Sequence, residues 1–246
     1  MTGRRCLIVN ADDFGLAAGV NRGIIEAHQR GIVTSASLMV RAACAEEAAD
    51  LAMANPALGL GLHLDLGEWI YRDGEWIAAY QYVKDGDVDA EEAEVESQVA
   101  RFTELIGRAP DHIDSHQHVH LSSPSVSDAV MAAARRLGVG VRSRHPDVGY
   151  LGMYGQDRDG SPLPDYISPD GYIAAIRELP LGWTELACHP GYADGLDSDY
   201  LAEREIEVGT LCDPSLKVAL AEAGVELTTW DAVGFDTIAA ANIAIG

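Results

Sequence analysis

Four short stretches of this sequence hold the residues that could do chemistry. The first is Leu7 to Gly15, LIVNADDFG, in which an apolar run ends in two adjacent carboxylates, Asp12 and Asp13. Neighbouring acids repel, so a chain with structural needs alone would separate them or give them a base. No Lys or Arg lies between Arg5 and Arg22 to take that part, and the pair reads as functional acids. The plainer alternative is a cap for the helix that follows, with a solvated neighbour. The second stretch is LGLGLHL, which sets His63 among apolar residues. The third is His112 to Leu121, HIDSHQHVHL, with four imidazoles in nine residues, a density that packing does not require. Period-2 alternation places His112, Asp114 and His116 on one face. The fourth is His189, in ACHPGY.

One carboxylate and two imidazoles make a ligand set that leaves positions on a divalent cation open for water and substrate. With Asp13, His63 and His116 as ligands, such a cation would acidify a bound water and polarise a carbonyl oxygen. Asp12 would be free to act as general base, and His189 could protonate the leaving group. That combination describes hydrolysis of an amide or ester. Spacing alone does not choose between Asp12 and Asp13, nor among His116, His118 and His120. A phosphoester substrate would want bases nearby, for which Arg142 and Arg144 are the nearest candidates. A sugar-binding protein without turnover is the non-enzymatic alternative.

These residues need a scaffold that gathers them. The pattern predicts strands at Cys6 to Asn10, Thr34 to Val40, Leu58 to Leu64, around Ile113, Gly140 to Ser143, Thr184 to Cys188 and Val225 to Thr229. It predicts helices at Ala18 to Arg30, Ala43 to Asn55, Asp89 to Ile106, Ser125 to Leu137, Pro169 to Glu178, Ser198 to Leu211 and Pro214 to Ala223. Arg144 to Ser168 reads as irregular. The aromatic stretch Gly67 to Gly86, with Trp69, Tyr71, Trp76, Tyr80 and Tyr82, reads as a substrate-side loop or lid. Strand alternating with helix implies an α/β fold with a parallel sheet, and a parallel barrel collects its chemistry at strand carboxyl ends. Asp12, Asp13, His63, His116 and His189 all fall at such ends.

The 246 residues suit one domain, 1–246, without repeats or linkers. With 39 acids against 17 bases the formal net charge is -22, which disfavours nucleic acid and anionic membrane surfaces as partners. Cys6, Cys44, Cys188 and Cys212 lack the spacing of a zinc knuckle or disulfide framework, fitting a reducing compartment. No apolar run reaches the length of a membrane span, and the amino terminus lacks a signal-peptide pattern, so a cytoplasmic protein is expected. A homodimer is the base-rate expectation.

LIVNADDFG, GIVTSASLMV, GLHLDL, HIDSHQHVH and ACHPGY, in that order, resemble the YdjC-like carbohydrate deacetylase family, whose best understood members are diacetylchitooligosaccharide deacetylases. The likeness runs from Cys6 to Thr229 and implies a distorted (β/α) barrel, TIM-like with fewer than eight regular strand-helix units. It implies one divalent ion, usually magnesium, although the imidazoles suit zinc, nickel or cobalt better on ligand softness. Carried over by motif, Asp13, His63 and His116 would be the ligands, Asp12 the base and His189 the acid. The implied reaction is hydrolytic removal of acetyl groups from N-acetylated amino sugars or oligosaccharides. His118, His120 and Asp114 are candidates for support or substrate contact, and His112 and His145 are read as structural.

Overall fold

The computed structural model describes residues 3–72, 75–157, 159–196, 198 and 200–233. Strand β1 (Arg5–Phe14) leads through α1 (Ala18–Arg30), β2 (Ser35–Leu38), α2 (Ala45–Ala54) and β3 (Gly59–Leu64) to a hairpin of β4 (Gly67–Arg72) and β5 (Glu75–Gln81). Next come α3 (Val88–Ile106), β6 (His112–Ser115), the short α4 (Val119–Ser122), α5 (Pro124–Leu137), β7 (Gly140–Val141) and β8 (Val148–Gly152). Helix α6 (Pro169–Arg177), β9 (Gly182–Cys188), α7 (Ala202–Leu211), α8 (Pro214–Ala223) and β10 (Val225–Thr228) follow.

Among the described residues, eight strands form one sheet in the order β7, β6, β3, β2, β1, β9, β8, with β10 set against the start of β1. Every pairing in it is parallel. Its end strands β7 and β8 do not pair with each other, so the expected α/β barrel is present but distorted and open. Strand β1 is the axis of this sheet. It pairs with β9 from Arg5 to Ala11 on one side, and on the other with β10 and then β2.

Period-2 alternation divides each strand between two environments. Leu7, Val9 and Ala11 of β1, Leu60, Leu62 and Leu64 of β3, Ile113 of β6, and Leu186 and Cys188 of β9 all join the main apolar core. The intervening residues, among them Asn10, Asp12, His63, His112, Asp114 and Glu185, are buried polar groups that meet one another inside the curled sheet. The lower interior is filled differently: Trp230 stacks on His112 with ring centroids 5.4 Å apart, and it packs with Ile8 and Val148.

The glycine at 61 makes room for that filling. A Cβ there would lie 2.2 Å from His112 Cε1, far inside van der Waals contact. Gly61→Ala should therefore cost about 1–3 kcal/mol through overpacking, read from the urea midpoint. An unchanged midpoint would show that the imidazole moves aside freely.

Several elements differ from the sequence expectation: α7 starts at Ala202 rather than Ser198, the short α4 stands where the pattern predicts no helix, and three differences bear on the site. Strand β1 continues past Asn10 through both acids to Phe14. The segment from Arg144 to Ser168, read as irregular, contains β8, which pairs with β9 from Val148 to Gly152; a five-residue strand with two glycines has too little apolar pattern to stand out. The aromatic stretch is the antiparallel hairpin β4–β5, not a loop, with Asp73 and Gly74 outside the described residues. Among the described residues, no helix is long and apolar enough to cross a membrane.

Candidate metal centre and active site

Asp12 and Asp13 reach the same cavity because β1 is bulged where they stand. In a regular strand, adjacent side chains point to opposite faces. Here the register with β2 shifts between Ala11 and Phe14 and Asp13 takes φ 65°. Both acids consequently line one cavity of about 200 Å³. Left-handed backbone is uncommon for any residue with a Cβ. Gln117 and His118 adopt it too, at φ 49° and 54°, and both line the same cavity, so among the described residues three of the four non-glycine residues with positive φ stand at the site, Ser143 being the exception.

Each acid meets its own arginine from a distant part of the chain. Arg142, directly after β7, grips Asp12 with Nη1 and Nη2, both at 2.6 Å. The same guanidinium reaches Glu185 Oε1 at 2.9 Å through Nε and Asp114 Oδ2 at 2.7 Å through Nη2. Arg204 of α7 places Nη2 2.6 Å from Asp13 Oδ2. Burial opposes ionisation of both acids, but Arg142 beside Asp12 and Arg204 beside Asp13 outweigh it and hold both carboxyls below their ordinary range.

The other oxygen of Asp13 faces the imidazoles. Asp13 Oδ1 lies 3.3 Å from His63 Nε2 and 3.2 Å from His116 Nδ1. Ligand atoms of Asp13, His63 and His116 all fall within 4.8 Å of one another. His63 Nδ1 is 2.7 Å from Asp114 Oδ1, a contact that fixes the ring and turns Nε2 toward Asp13. Among the described residues, the buried His116 Nε2 has no hydrogen-bond partner. A carboxylate oxygen facing two imidazoles, with one ring nitrogen left over, fits a divalent cation. Two further groupings, Asp12–His63–Asp114 and His112–Asp114–Glu185, have similar spacing. There the Arg142 guanidinium already supplies the positive charge.

His189 enters from the end of β9. Its Nε2 lies 3.8 Å from Asp12 Oδ2, and its backbone N–H donates to Glu207 Oε2 at 2.6 Å. The Tyr200 hydroxyl donates to Glu207 Oε1 at 2.8 Å. Burial pushes the imidazole down to about 4 and the Glu207 carboxyl up to about 7. At neutral pH His189 is therefore uncharged.

The remaining histidines separate cleanly. His118 lines the cavity and its Nε2 is 2.6 Å from the Tyr154 hydroxyl. His120 lies outside the cavity lining. Its Nε2 bonds the Arg142 carbonyl at 3.1 Å and its Nδ1 meets Ser115 Oγ at 2.5 Å, so it braces the residue that grips Asp12. His112 pairs with Asp111 beneath the site, as a structural residue does. Arg142, weighed as a base for a phosphate substrate, is wholly buried against carboxylates, and Arg144 is absent from the cavity lining. Sequence reasoning missed Arg204, Glu207, Glu185, Tyr154 and Tyr200. Only Glu185 carried a signal, as an acid inside the predicted strand Thr184 to Cys188.

The profile of a family described as YdjC-like protein matches residues 6–222. A carbohydrate deacetylase of Geobacillus stearothermophilus is 38% identical over 251 residues, covering 92% of this chain and 97% of its own. A chitooligosaccharide deacetylase of Klebsiella pneumoniae strain 342 is 35% identical over 253 residues, covering 92% and 98%. Among solved structures, EF3048 of Enterococcus faecalis V583 superposes with a TM-score of 0.78 at 26% identity over 94% of this chain and 99% of that one. The family 4 acetyl xylan esterase of Clostridium thermocellum, solved with a cobalt ion, shares the fold at a TM-score of 0.57 and 14% identity, covering 93% and 90%.

Proposed function

The chain belongs to the YdjC-like family, and on that premise we propose that it is a metal-dependent hydrolase that removes acetyl groups from N-acetylated amino sugars or their oligosaccharides. The observation that carries this is the convergence of Asp13, His63 and His116 beside an arginine-held Asp12 in one cavity. The names of the relatives supply the substrate class.

Asp13, His63 and His116 would hold the ion, whose chemistry is to polarise the acetyl carbonyl and make water acidic. Asp12 accepts a proton from the attacking water; Arg142 keeps it a carboxylate at the pH of reaction. His189 then protonates the departing sugar nitrogen. Since the imidazole rests neutral, it must first be charged, and Asp12 is the adjacent source at 3.8 Å. Tyr154 packs beside that imidazole, with ring centroids 5.4 Å apart.

The test is metal analysis of the purified protein with acetate release from N-acetylglucosamine oligomers, with and without a chelator. Chelation should reduce acetate release to background, and stoichiometric zinc or cobalt should restore it better than magnesium, because two of the three donors are imidazoles. Undiminished release in chelator, with no metal in the protein, overturns the reading.

A further inference from the structure

The two adjacent acids are held by their arginines in different ways. Arg142 closes on both oxygens of Asp12, with Nη1 on Oδ2 and Nη2 on Oδ1, each at 2.6 Å. Arg204 meets Asp13 at Oδ2, with Nη2 at 2.6 Å. The other oxygen of Asp13, Oδ1, is the one that faces His63 Nε2 and His116 Nδ1, at 3.3 and 3.2 Å. Neighbours on one strand therefore differ in what their carboxylates have to spare. Asp12 has a guanidinium hydrogen on each oxygen, while Asp13 divides its oxygens between a guanidinium and the imidazoles.

Arg204 stands in the first turn of α7 and is buried. Its guanidinium carbon lies 5.6 Å from the centre of the Tyr200 ring. The Tyr200 hydroxyl is fixed in turn, accepting from Gly155 N–H at 2.7 Å and donating to Glu207 Oε1 at 2.8 Å. Arg204 Nη1 donates to the His189 carbonyl at 3.4 Å, and the Arg204 carbonyl accepts from Gly191 N–H at 3.2 Å. One residue thus ties the candidate ligand Asp13 to the segment that carries His189. Its charge matters as much as its contacts. A cation and a guanidinium repel, and buried charges are screened less than exposed ones. A divalent ion shared between both oxygens of Asp13 would be drawn toward the guanidinium on Oδ2, so Arg204 opposes two-oxygen binding and favours Oδ1. A carboxylate that gives one oxygen and shares its charge with an arginine donates less to the ion, leaving it a stronger Lewis acid with a position more for water and substrate.

We propose that Arg204 is a positioning residue of the metal centre, which presents Asp13 to the ion through Oδ1 alone and so lowers metal affinity in exchange for an open, more acidic coordination sphere. This rests on the metal-centre part of the deacetylase reading. A guanidinium that merely compensated a buried acid would carry the opposite sign, since its removal would loosen Asp13 and weaken metal binding.

Zinc titration against a chromophoric competitor, and the visible absorption of the cobalt-loaded protein, read this without turnover. Arg204→Gln keeps a donor for Asp13 Oδ2 without the charge, and should bind zinc about ten-fold tighter than the unsubstituted protein. Its cobalt absorption should be weaker, because a second Asp13 oxygen raises the coordination number. Arg204→Lys restores the charge and should bring both readings back toward those of the unsubstituted protein. Looser or unchanged zinc binding in Arg204→Gln, or a cobalt spectrum that does not move, overturns the proposal. Should that variant fail to fold, a crystal structure of the zinc-loaded unsubstituted protein decides. Asp13 Oδ1 on the ion with Arg204 still on Oδ2 supports the proposal; both oxygens on the ion, or a displaced Arg204, overturn it. Acetate release by the unsubstituted protein is scored separately. Metal readings that follow Arg204 as expected, without acetate release, would remove the deacetylase reading alone. Acetate release by a protein whose Asp13 holds the ion with both oxygens would remove this proposal alone.

Discussion

Asp12→Asn is expected to lower acetate release by about a hundred- to ten-thousand-fold, the range for loss of a general base, while leaving the metal content and the fold in place. The amide keeps the shape of the carboxylate and its neutral oxygen can still accept from Asn10 Nδ2 and Arg142 Nη2, which now lie 2.9 and 2.6 Å from Asp12 Oδ1. What it loses is the capacity to take a proton from water and the acceptor for Arg142 Nη1, now 2.6 Å from Asp12 Oδ2, so a modest drop in the thermal midpoint accompanies the loss of turnover. Arg142 keeps Asp114 and Glu185 as partners, so its charge stays compensated. His63→Ala is the contrast: it removes a candidate ligand and strands Asp114 Oδ1, which now lies 2.7 Å from His63 Nδ1, and should lose metal and turnover together. Acetate kinetics, metal analysis and the thermal midpoint on both variants separate the two roles. Unchanged turnover in Asp12→Asn would sink the assignment of Asp12 as base.

The division of labour between the adjacent acids was not legible in the sequence, and the reason is local. LIVNADDFG announces a strand and two carboxylates, but a regular strand would send them to opposite faces. The bulge and the left-handed Asp13 that bring them together arise from pairing with β2, which no window around Asp13 contains. The bases were hidden for a related reason: Arg142 and Arg204 stand 130 and 191 residues from the acids they hold. An arginine that neutralises a buried acid looks in sequence like any surface arginine, and Arg204 sits among the acids of AEREIEVGTL.

Residue type and position at a strand end picked out Asp12, Asp13, His63, His116 and His189, which line the cavity, but not Glu68, Tyr154, Tyr200 and Arg204, which line it too. His63, His116 and His189 stand out because apolar strands rarely close on an imidazole without cause, and the family resemblance then ordered them. The hairpin β4–β5 carried a readable signal that the aromatic reading obscured. Trp69, Ile70 and Tyr71 and then Trp76 and Ile77 flank an Asp-Gly dipeptide, the pattern of a two-residue hairpin turn. Strand β8 carried none. It is a strand because the free edge of β9 is there to receive it, a condition set by tertiary structure.

Arg142→Met should destabilise the protein by about 3–5 kcal/mol at neutral pH, the usual cost of removing one partner from a buried ion pair. Methionine fills a similar volume, yet Asp12, Asp114 and Glu185 would be left as buried acids around an uncharged side chain. The pH dependence has a definite sign. In the unsubstituted protein Asp12 and Asp114 lie below their unfolded values, with Arg142 overcoming the burial that would raise them. Their contribution is therefore present above about pH 4 and is lost as pH falls through the folded values. In Arg142→Met, burial is opposed only by the His63 and His112 imidazoles, and the folded carboxyls are expected to rise above their unfolded values. The folded state then binds more protons than the unfolded one, so its stability falls as pH rises toward neutrality. The gap between the two proteins should be widest near pH 7 and should narrow toward pH 4, as read from urea midpoints across that range. Equal stability at pH 7 would mean that the cluster takes up protons at little cost, and the ion pairs would then have no claim on the fold. Because the guanidinium that compensates these acids also keeps Asp12 ready to accept a proton, whatever fraction of Arg142→Met folds should release little acetate at low pH, where it is most stable.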